Sequence, residues 1–259
     1  MQKIFFLIIS LALATSSIAQ KQSKKDRREQ NRKKIDAMIK QEEEGVIAYK
    51  KHVVFGGKLI SNGYGAFIEF GRASSVKKGI LFQLEISEYK SPREEKQSNL
   101  FAFSTPYTYG KQNFFYPVKL GVQQQILLGN KSNKNGVSIT GNFGGGVSAG
   151  LLRPYYVQLG ATDTYVKYDS KDSLKFLDPS AISAGPGFSK GWSDLTVTPG
   201  AYVKTALRFD YGSYNEIVSA IEVGISVDYY TKKIPLVVRE EQKQLFFTGY
   251  VAILFGRRK

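Results

Sequence analysis

The stretch AYVKTALRFDY, residues 201–211, decides how this chain reads. Val203, Thr205, Leu207, Phe209 and Tyr211 share one parity, while Tyr202, Lys204, Ala206, Arg208 and Asp210 share the other. A period of two belongs to a β-strand, whose successive side chains point to opposite faces. Forward along the chain, Ile221, Val223, Ile225, Val227 and Tyr229 alternate with Glu222, Gly224, Ser226 and Asp228. Backward, Val118, Leu120, Val122, Ile126 and Leu128 alternate with Lys119, Gly121, Gln123 and Gln125. Extended over the chain, the pattern predicts strands at roughly 52–60, 64–72, 79–89, 114–128, 136–153, 196–210, 217–230 and 245–256. Asn62-Gly63, Asn135-Gly136 and Tyr211-Gly212-Ser213 carry tight-turn chemistry between them.

The N-terminus adds a destination. Met1-Gln2-Lys3 is a short basic start, Ile4 to Ala14 is almost wholly apolar, and Ser17-Ile18-Ala19 is a small-x-small cleavage site. Residues 1–19 therefore read as a secretory signal peptide, with the mature chain starting at Gln20. No stretch reaches the ~20 apolar residues that a membrane helix needs. Residues 20–45 mix many Lys and Arg with acids and carry only Ile35, Met38 and Ile39 as large apolar side chains. That is too little for a core, so a partly helical solvated tail and a disordered basic leader both fit. Residues 46–259 then form the barrel domain.

Export and alternation together imply an all-β fold: an eight-stranded antiparallel up-and-down transmembrane β-barrel in the outer membrane. The connections at 90–113, 154–195 and 231–244 are long, and those at 74–78, 130–135 and 211–216 are short. Long outer loops over short periplasmic turns are the outer-membrane pattern. The 16 Tyr, 17 Phe and 25 Gly suit interfacial belts and a crowded wall, and the absence of Cys suits a barrel that needs no disulfide. A soluble β-sandwich could show the same alternation, with its apolar face turned to a second sheet.

On the barrel reading, Lys58, Lys119, Lys204 and Arg208 point inward together with Glu69, Glu85, Asp210, Glu222 and Asp228. An eight-stranded barrel is just wide enough for side chains to fill, and buried charges must be paired. A salt-bridged plug is expected, in which Lys204, Arg208, Glu222 and Asp228 form one network between the sixth and seventh strands. The chain carries a formal charge of +15, of which Lys3 leaves with the signal. Nearly all the remaining excess falls on the periplasmic side, where residues 20–45, Lys77, Lys78, Lys131, Lys134 and Arg257 to Lys259 are expected to form a collar. Outer-membrane lipids are its expected partners, through the anionic headgroups of the inner leaflet, and an acidic periplasmic or outer-membrane protein is the alternative. Nucleic acid, the usual reading of so basic a chain, is not expected for an exported barrel.

No enzyme is expected. The single histidine, His52, sits at the periplasmic start of the first strand, where a rim role outweighs catalysis. No metal or other cofactor is expected, since Cys/His ligand sets are absent and Asp169, Asp172 and Asp178 match no calcium loop. The glycine-rich run from Gly141 to Gly150 lies in a strand pattern and has no phosphate-binding context. It is expected to bend the wall or make room for bulky lumen neighbours. A lipid-modifying enzyme using Ser183, Ser189, Lys190 or Asp194, and a narrow pore, remain the alternatives. The 154–195 connection carries Tyr155, Tyr156, Tyr165, Tyr168, Phe176, Phe188 and the single tryptophan, Trp192. Such a loop either offers aromatic anchors to a partner or folds back over the barrel mouth.

Five segments carry a resemblance: KLISNGYG (58–65), YGKQN (109–113), KGWSD (190–194), PGAYVK (199–204) and LFGRR (254–258). Over about residues 45–259 the chain resembles the broad PorT-like group of Bacteroidetes-type outer-membrane β-barrel proteins. The resemblance implies an outer-membrane barrel. It also admits a link to protein secretion, since that group includes secretion components. It brings no catalytic residue. The chain departs from the usual terminal aromatic, because Phe255 is followed by Gly-Arg-Arg-Lys.

Overall fold

Alternation of small or polar residues with Val, Ile, Leu and Phe yields eight long strands that close on one another. In chain order the strands are β1 (Lys51–Ile60), β2 (Gly63–Ala73), β3 (Lys78–Tyr89), β4 (Lys96–Gln97), β5 (Tyr107–Thr108), β6 (Asn113–Gly129) and β7 (Ser138–Pro154). They continue with β8 (Tyr156–Leu159), β9 (Thr164–Lys167), β10 (Ile182–Ala184), β11 (Thr196–Asp210), β12 (Ile217–Ile234) and β13 (Lys243–Arg258). This is a computed structural model that describes residues 50–75, 77–98, 105–131, 136–160, 164–169, 173–212 and 216–259. The expected signal peptide and the 20–45 tail lie outside the described residues, as do Lys134 and Asp172.

The closed barrel runs β1-β2-β3-β6-β7-β11-β12-β13 and returns to β1, with every neighbouring pair antiparallel. The sixth predicted strand matches β11 residue for residue. The seventh, β12, runs on to Ile234, so the 231–244 connection is shorter than expected. The first hairpin uses Ser61 and Asn62 as its turn, and Gly63 already pairs with Ile60. Residue 50 and Lys259 meet at one end, the terminal end, where the Lys50 amide donates to the Lys259 carbonyl. The long connections gather at the other, the loop end.

The two faces differ as the periodicity requires. Phe55, Leu59, Phe82, Leu120, Val147, Val203, Ile225 and Phe247 stand exposed on the outside, and Lys58, Glu69, Gln83, Glu85, Lys119, Lys204, Arg208, Glu222 and Asp228 are buried inside. In water this arrangement would be inverted. A wall apolar outside and polar inside is the arrangement of a transmembrane barrel.

Glycines set the lumen's shape on one side. A Cβ on Gly121 would lie 2.5 Å from the Gly145 carbonyl oxygen and closer still to the Tyr202 hydroxyl, and one on Gly146 would collide with the backbone of Leu120 and Gly121. β6 and β7 therefore approach each other without side chains, and the space goes to the Tyr202 ring. A Cβ on Gly150 would lie 2.7 Å from the Phe115 ring. The glycine run makes room for aromatic lumen neighbours.

At the loop end the lumen closes on an aromatic layer. Phe115 meets Tyr230 edge-on at 5.2 Å between centroids and Tyr89 at 5.7 Å, and Phe246 packs at 5.6 Å from Phe115. Ile234, Leu236 and Val237 belong to the same buried cluster. The connections above are folded. β10, β8 and β9 form a three-stranded sheet, β4 pairs with β5, and Ser173–Phe176 makes one helical turn. A second cluster of Tyr107, Tyr155, Val157, Phe176 and Ile182 holds these connections together.

Candidate functional site

Two regions concentrate chemistry: the charged lumen and the folded loop platform. At the terminal end of the lumen, Asp210 closes β11 and takes the Arg258 guanidinium, with the Lys131 ammonium 3.7 Å away. Lys131 also donates to the Gly212 carbonyl at 2.5 Å. The charge count along the chain assigns these two cations to a solvent-facing collar. Both are instead buried, because Asp210 draws them inward. Lys131 lies beyond the end of β6, and burial pushes its ammonium below the usual lysine value against the pull of Asp210. Lys77, Lys78, Arg257 and Lys259 remain exposed.

Two residues further along β11, into the barrel, Arg208 is the hub. It donates to both carboxylate oxygens of Glu69 at 2.8 Å, a bidentate pair, and to Glu222 at 2.9 Å from Nε and 2.7 Å from Nη2. The β11–β12 register places Arg208 directly opposite Glu222. Glu222 also accepts from Asn142 at 3.0 Å and from Tyr250 at 2.8 Å. The His52 ring lies 3.3 Å from Glu69. It points into the lumen instead of standing on the rim, and the carboxylate fixes its ring.

Lys204 comes next. It donates to Gln83 at 2.5 Å, and its ammonium lies 3.9 Å from Glu222. Gln83 also accepts from Gln123 at 2.7 Å. Near the loop end Lys119 pairs with Asp228 at 2.6 Å, lies 3.6 Å from Glu85, and donates to the Tyr89 hydroxyl at 2.8 Å. Tyr89 in turn donates to Asp228 at 2.7 Å, and Lys58 pairs with Glu85. The expectation of a single Lys204–Arg208–Glu222–Asp228 network is thus corrected. Asp228 is opposite Tyr202 in the register, six residues along the strand from Glu222, and its cation comes from β6 on another part of the wall. Parity identifies which charges point inward, but pairing across the lumen depends on the closed shape.

All nine charges that parity turns inward lie buried in the lumen, and each has an ion-pair partner. Sequence reasoning misses the aromatic layer, although Tyr89, Phe115 and Tyr230 sit on the same parity as the charges. Nor does it single out Gln83, whose amide oxygen accepts from both Lys204 and Gln123.

The loop platform divides the predicted recognition aromatics. Phe176 is wholly buried in the second cluster, and Tyr168 packs edge-on against it at 5.7 Å. Phe176 is therefore a core residue of the platform, not an anchor for a partner. Tyr155 is buried too, accepting from the Thr108 amide at 2.7 Å, and burial pushes its phenol above the usual value. Tyr165 stays half-buried beneath the Lys190 ammonium, 4.3 Å from the ring centroid. Phe188 and Trp192 are exposed and touch each other at 5.7 Å. Lys111 and Glu94 pair at 2.7 Å within the cap, where burial lowers the lysine against the pull of the carboxylate. The Tyr156 hydroxyl donates to Asp194 and holds its carboxyl below the usual range, with Lys167 adding to the effect.

The alternative enzyme residues do not converge. The Ser183 hydroxyl donates to the Gln158 carbonyl, Asp194 is held by Tyr156, and Lys190 covers Tyr165. His52 meets Glu69 at the far end of the barrel. Among the described residues no group of acidic or histidine ligands is placed to hold a metal ion.

The register and the two faces define the class: an eight-stranded up-and-down transmembrane β-barrel of the outer-membrane type, with a side-chain-filled lumen. Solved structures of similar outline include the Neisserial surface protein A, at 11% identity and a TM-score of 0.37, covering 81% of this chain and 96% of that one. The attachment invasion locus protein of Yersinia pestis, Ail, matches at 7% identity and a TM-score of 0.36 over 81% of this chain and 96% of its own. The outer membrane protein OprG from Pseudomonas aeruginosa matches at 11% identity and a TM-score of 0.33, over 82% and 96%. At these identities and scores no function carries across, and the class rests on the chain's own register and faces. No protein-family model and no curated protein matches the chain.

Proposed function

We propose that this chain is a non-enzymatic, non-conducting outer-membrane protein that serves as a structural or accessory subunit through its folded loop platform and its basic terminal rim. The observation that carries this reading is the lumen itself. Its charges neutralise one another at hydrogen-bond distance, and the aromatic layer of Tyr89, Phe115, Tyr230 and Phe246 closes the loop end. A conduit needs wetted, unpaired polar groups along its length, and this lumen is packed instead. The loop platform has its own hydrophobic cluster, so it can present a fixed surface to a partner.

The termini are proposed to face the periplasm, with the loop platform outside. The length asymmetry of the connections supports this orientation. The exposed Lys77, Lys78, Arg257 and Lys259 would then meet inner-leaflet headgroups. Membership of the PorT-like group of Bacteroidetes barrels is part of the same proposal and rests on five short segments between residues 58 and 258. Planar-bilayer recording of the purified protein tests the central point. A silent bilayer supports a filled barrel, and stepwise ion currents overturn it. Changed lipid A acylation on deletion of the gene would instead favour a lipid-modifying enzyme.

A further inference from the structure

We propose that the short segment from Gly187 to Asp194 is a membrane-interface anchor, with Phe188 and Trp192 seated in the leaflet at the loop end. The inference rests on the reading that the barrel wall lies in a bilayer. Phe114 and Tyr116 stand on the outward parity of β6, the parity that leads on to the exposed Leu120 and Val122. Arg153 is on the outward parity of β7, one residue before the strand ends. The 187–194 segment folds down over this outer face rather than over the mouth. The Trp192 indole stacks on the Tyr116 ring at 5.8 Å and 13°. Gly191 permits the approach: its φ is +89°, and a Cβ there would lie 2.6 Å from the Pro154 carbonyl oxygen.

Arg153 explains why the segment is pinned there. Its guanidinium lies 4.0 Å from the Phe114 centroid, 4.9 Å from Trp192 and 5.4 Å from Phe188. It donates to the Phe188 carbonyl at 2.6 Å, and the Trp192 indole N–H donates to that carbonyl at 2.8 Å. A cation on the lipid-facing parity is costly at the bilayer midplane and far less so near the interface. Arg153 sits at a strand end and is only 3% exposed, roofed by aromatic faces. The roof turns outward: Phe188 is 79% exposed and Trp192 41%. Their surface is continuous with the apolar wall, and polar groups border it at the same strand ends. Tyr64 donates to Glu88 beneath the Lys90 ammonium on β2 and β3, and Lys167 lies 3.5 Å from Asp194. Interleaved aromatic rings and charges are what the headgroup boundary selects. A soluble partner protein would have to compete with lipid for this face.

The chain holds a single tryptophan, so its fluorescence reports this site alone. The folded protein, identified by its heat-shifted gel mobility, is moved into phosphatidylcholine vesicles whose acyl chains carry bromine close to the headgroup or close to the chain end. The expected result is a blue-shifted emission, quenched at least twofold more by the shallow bromines than by the deep ones, with acrylamide quenching severalfold weaker than for free tryptophan. Trp192→Phe removes the signal and supplies the blank. An inserted barrel whose emission is quenched by acrylamide as free tryptophan is, and by neither bromolipid, overturns the anchor and leaves the face to a soluble partner. A folded protein that does not enter vesicles overturns the membrane reading and the anchor together.

Discussion

Glu222 in the lumen and Phe176 in the loop platform are both wholly buried, and what surrounds them differs in kind. Glu222 is held by Arg208, Lys204, Asn142 and Tyr250, contributed by β7, β11 and β13. Phe176 is held by apolar and aromatic side chains from two connections, 90–112 and 155–195. The lumen is organised by direction and charge, so removing one partner strands the others. The platform is organised by area, so a truncation leaves only a hole. The difference shows where each region is vulnerable and how the two can be told apart by experiment.

Arg208→Ala is expected to give the largest effect. It leaves Glu69 and Glu222 buried without their shared cation, and breaking a buried pair costs about 3–5 kcal/mol. The temperature at which the folded gel band gives way to the unfolded one should fall sharply, and Glu222→Ala should follow in the same direction. Unchanged mobility for both would mean that the lumen admits water freely.

Phe176→Ala should remove about 3 kcal/mol or more from the platform by leaving a cavity. The barrel's own transition should hardly move, because the second cluster shares no residue with the first. Limited proteolysis should separate the two, with faster cleavage in 154–195 and an intact barrel fragment. If the barrel melts along with the platform, the two regions are one cooperative unit.

Gly121→Ala is expected to cost about 1–3 kcal/mol through overpacking against the Tyr202 hydroxyl and the Gly145 carbonyl. Adding Tyr202→Phe should recover only part of the loss, because the carbonyl remains 2.5 Å away. Full recovery in the double variant would place the whole conflict on the hydroxyl.

The smallest effect lies at the surface of the platform, where Tyr156 donates to Asp194. This carboxyl titrates below its ordinary value, first through the tyrosine hydroxyl and then through Lys167. A lowered folded value means that the contact's contribution is complete above the unfolded carboxylate pKa of ~3.9 and is lost as pH falls through the folded value. Hydrogen-exchange protection around Tyr156, taken relative to the intrinsic rate at each pH, should therefore fall only on acidification below about pH 4, and Asp194→Asn should flatten that profile. A profile that changes near neutral pH in the wild-type chain would assign the response to another group.

Much of the barrel is legible in the sequence. The strand at 196–210 and the inward parity of Lys204, Arg208 and Glu222 follow from a period of two and from the cost of setting charge in apolar surroundings. Closure of the barrel brings together residues from opposite parts of the wall, and local periodicity carries no record of those distances. Parity therefore groups Asp228 with Arg208, although its cation is Lys119. Position at a strand end likewise puts Lys131 and Arg258 on the rim, although Asp210 holds them inside.

The connections are the least legible region. Phe176, Phe188 and Trp192 are equally aromatic residues of one long loop, yet one is core and two lie on the outer wall. Composition distinguishes a strand's two faces because the backbone repeats. A connection has no repeat, so the fate of each ring is decided by what the fold brings to it, here the Arg153 guanidinium and the Tyr116 face. The sequence by itself determined the strands, their faces and the inward charges, through the two-residue period of the backbone. Only the tertiary structure decided which charges pair, where the aromatic layer closes and which loop rings reach the surface, because those contacts join residues far apart in the chain.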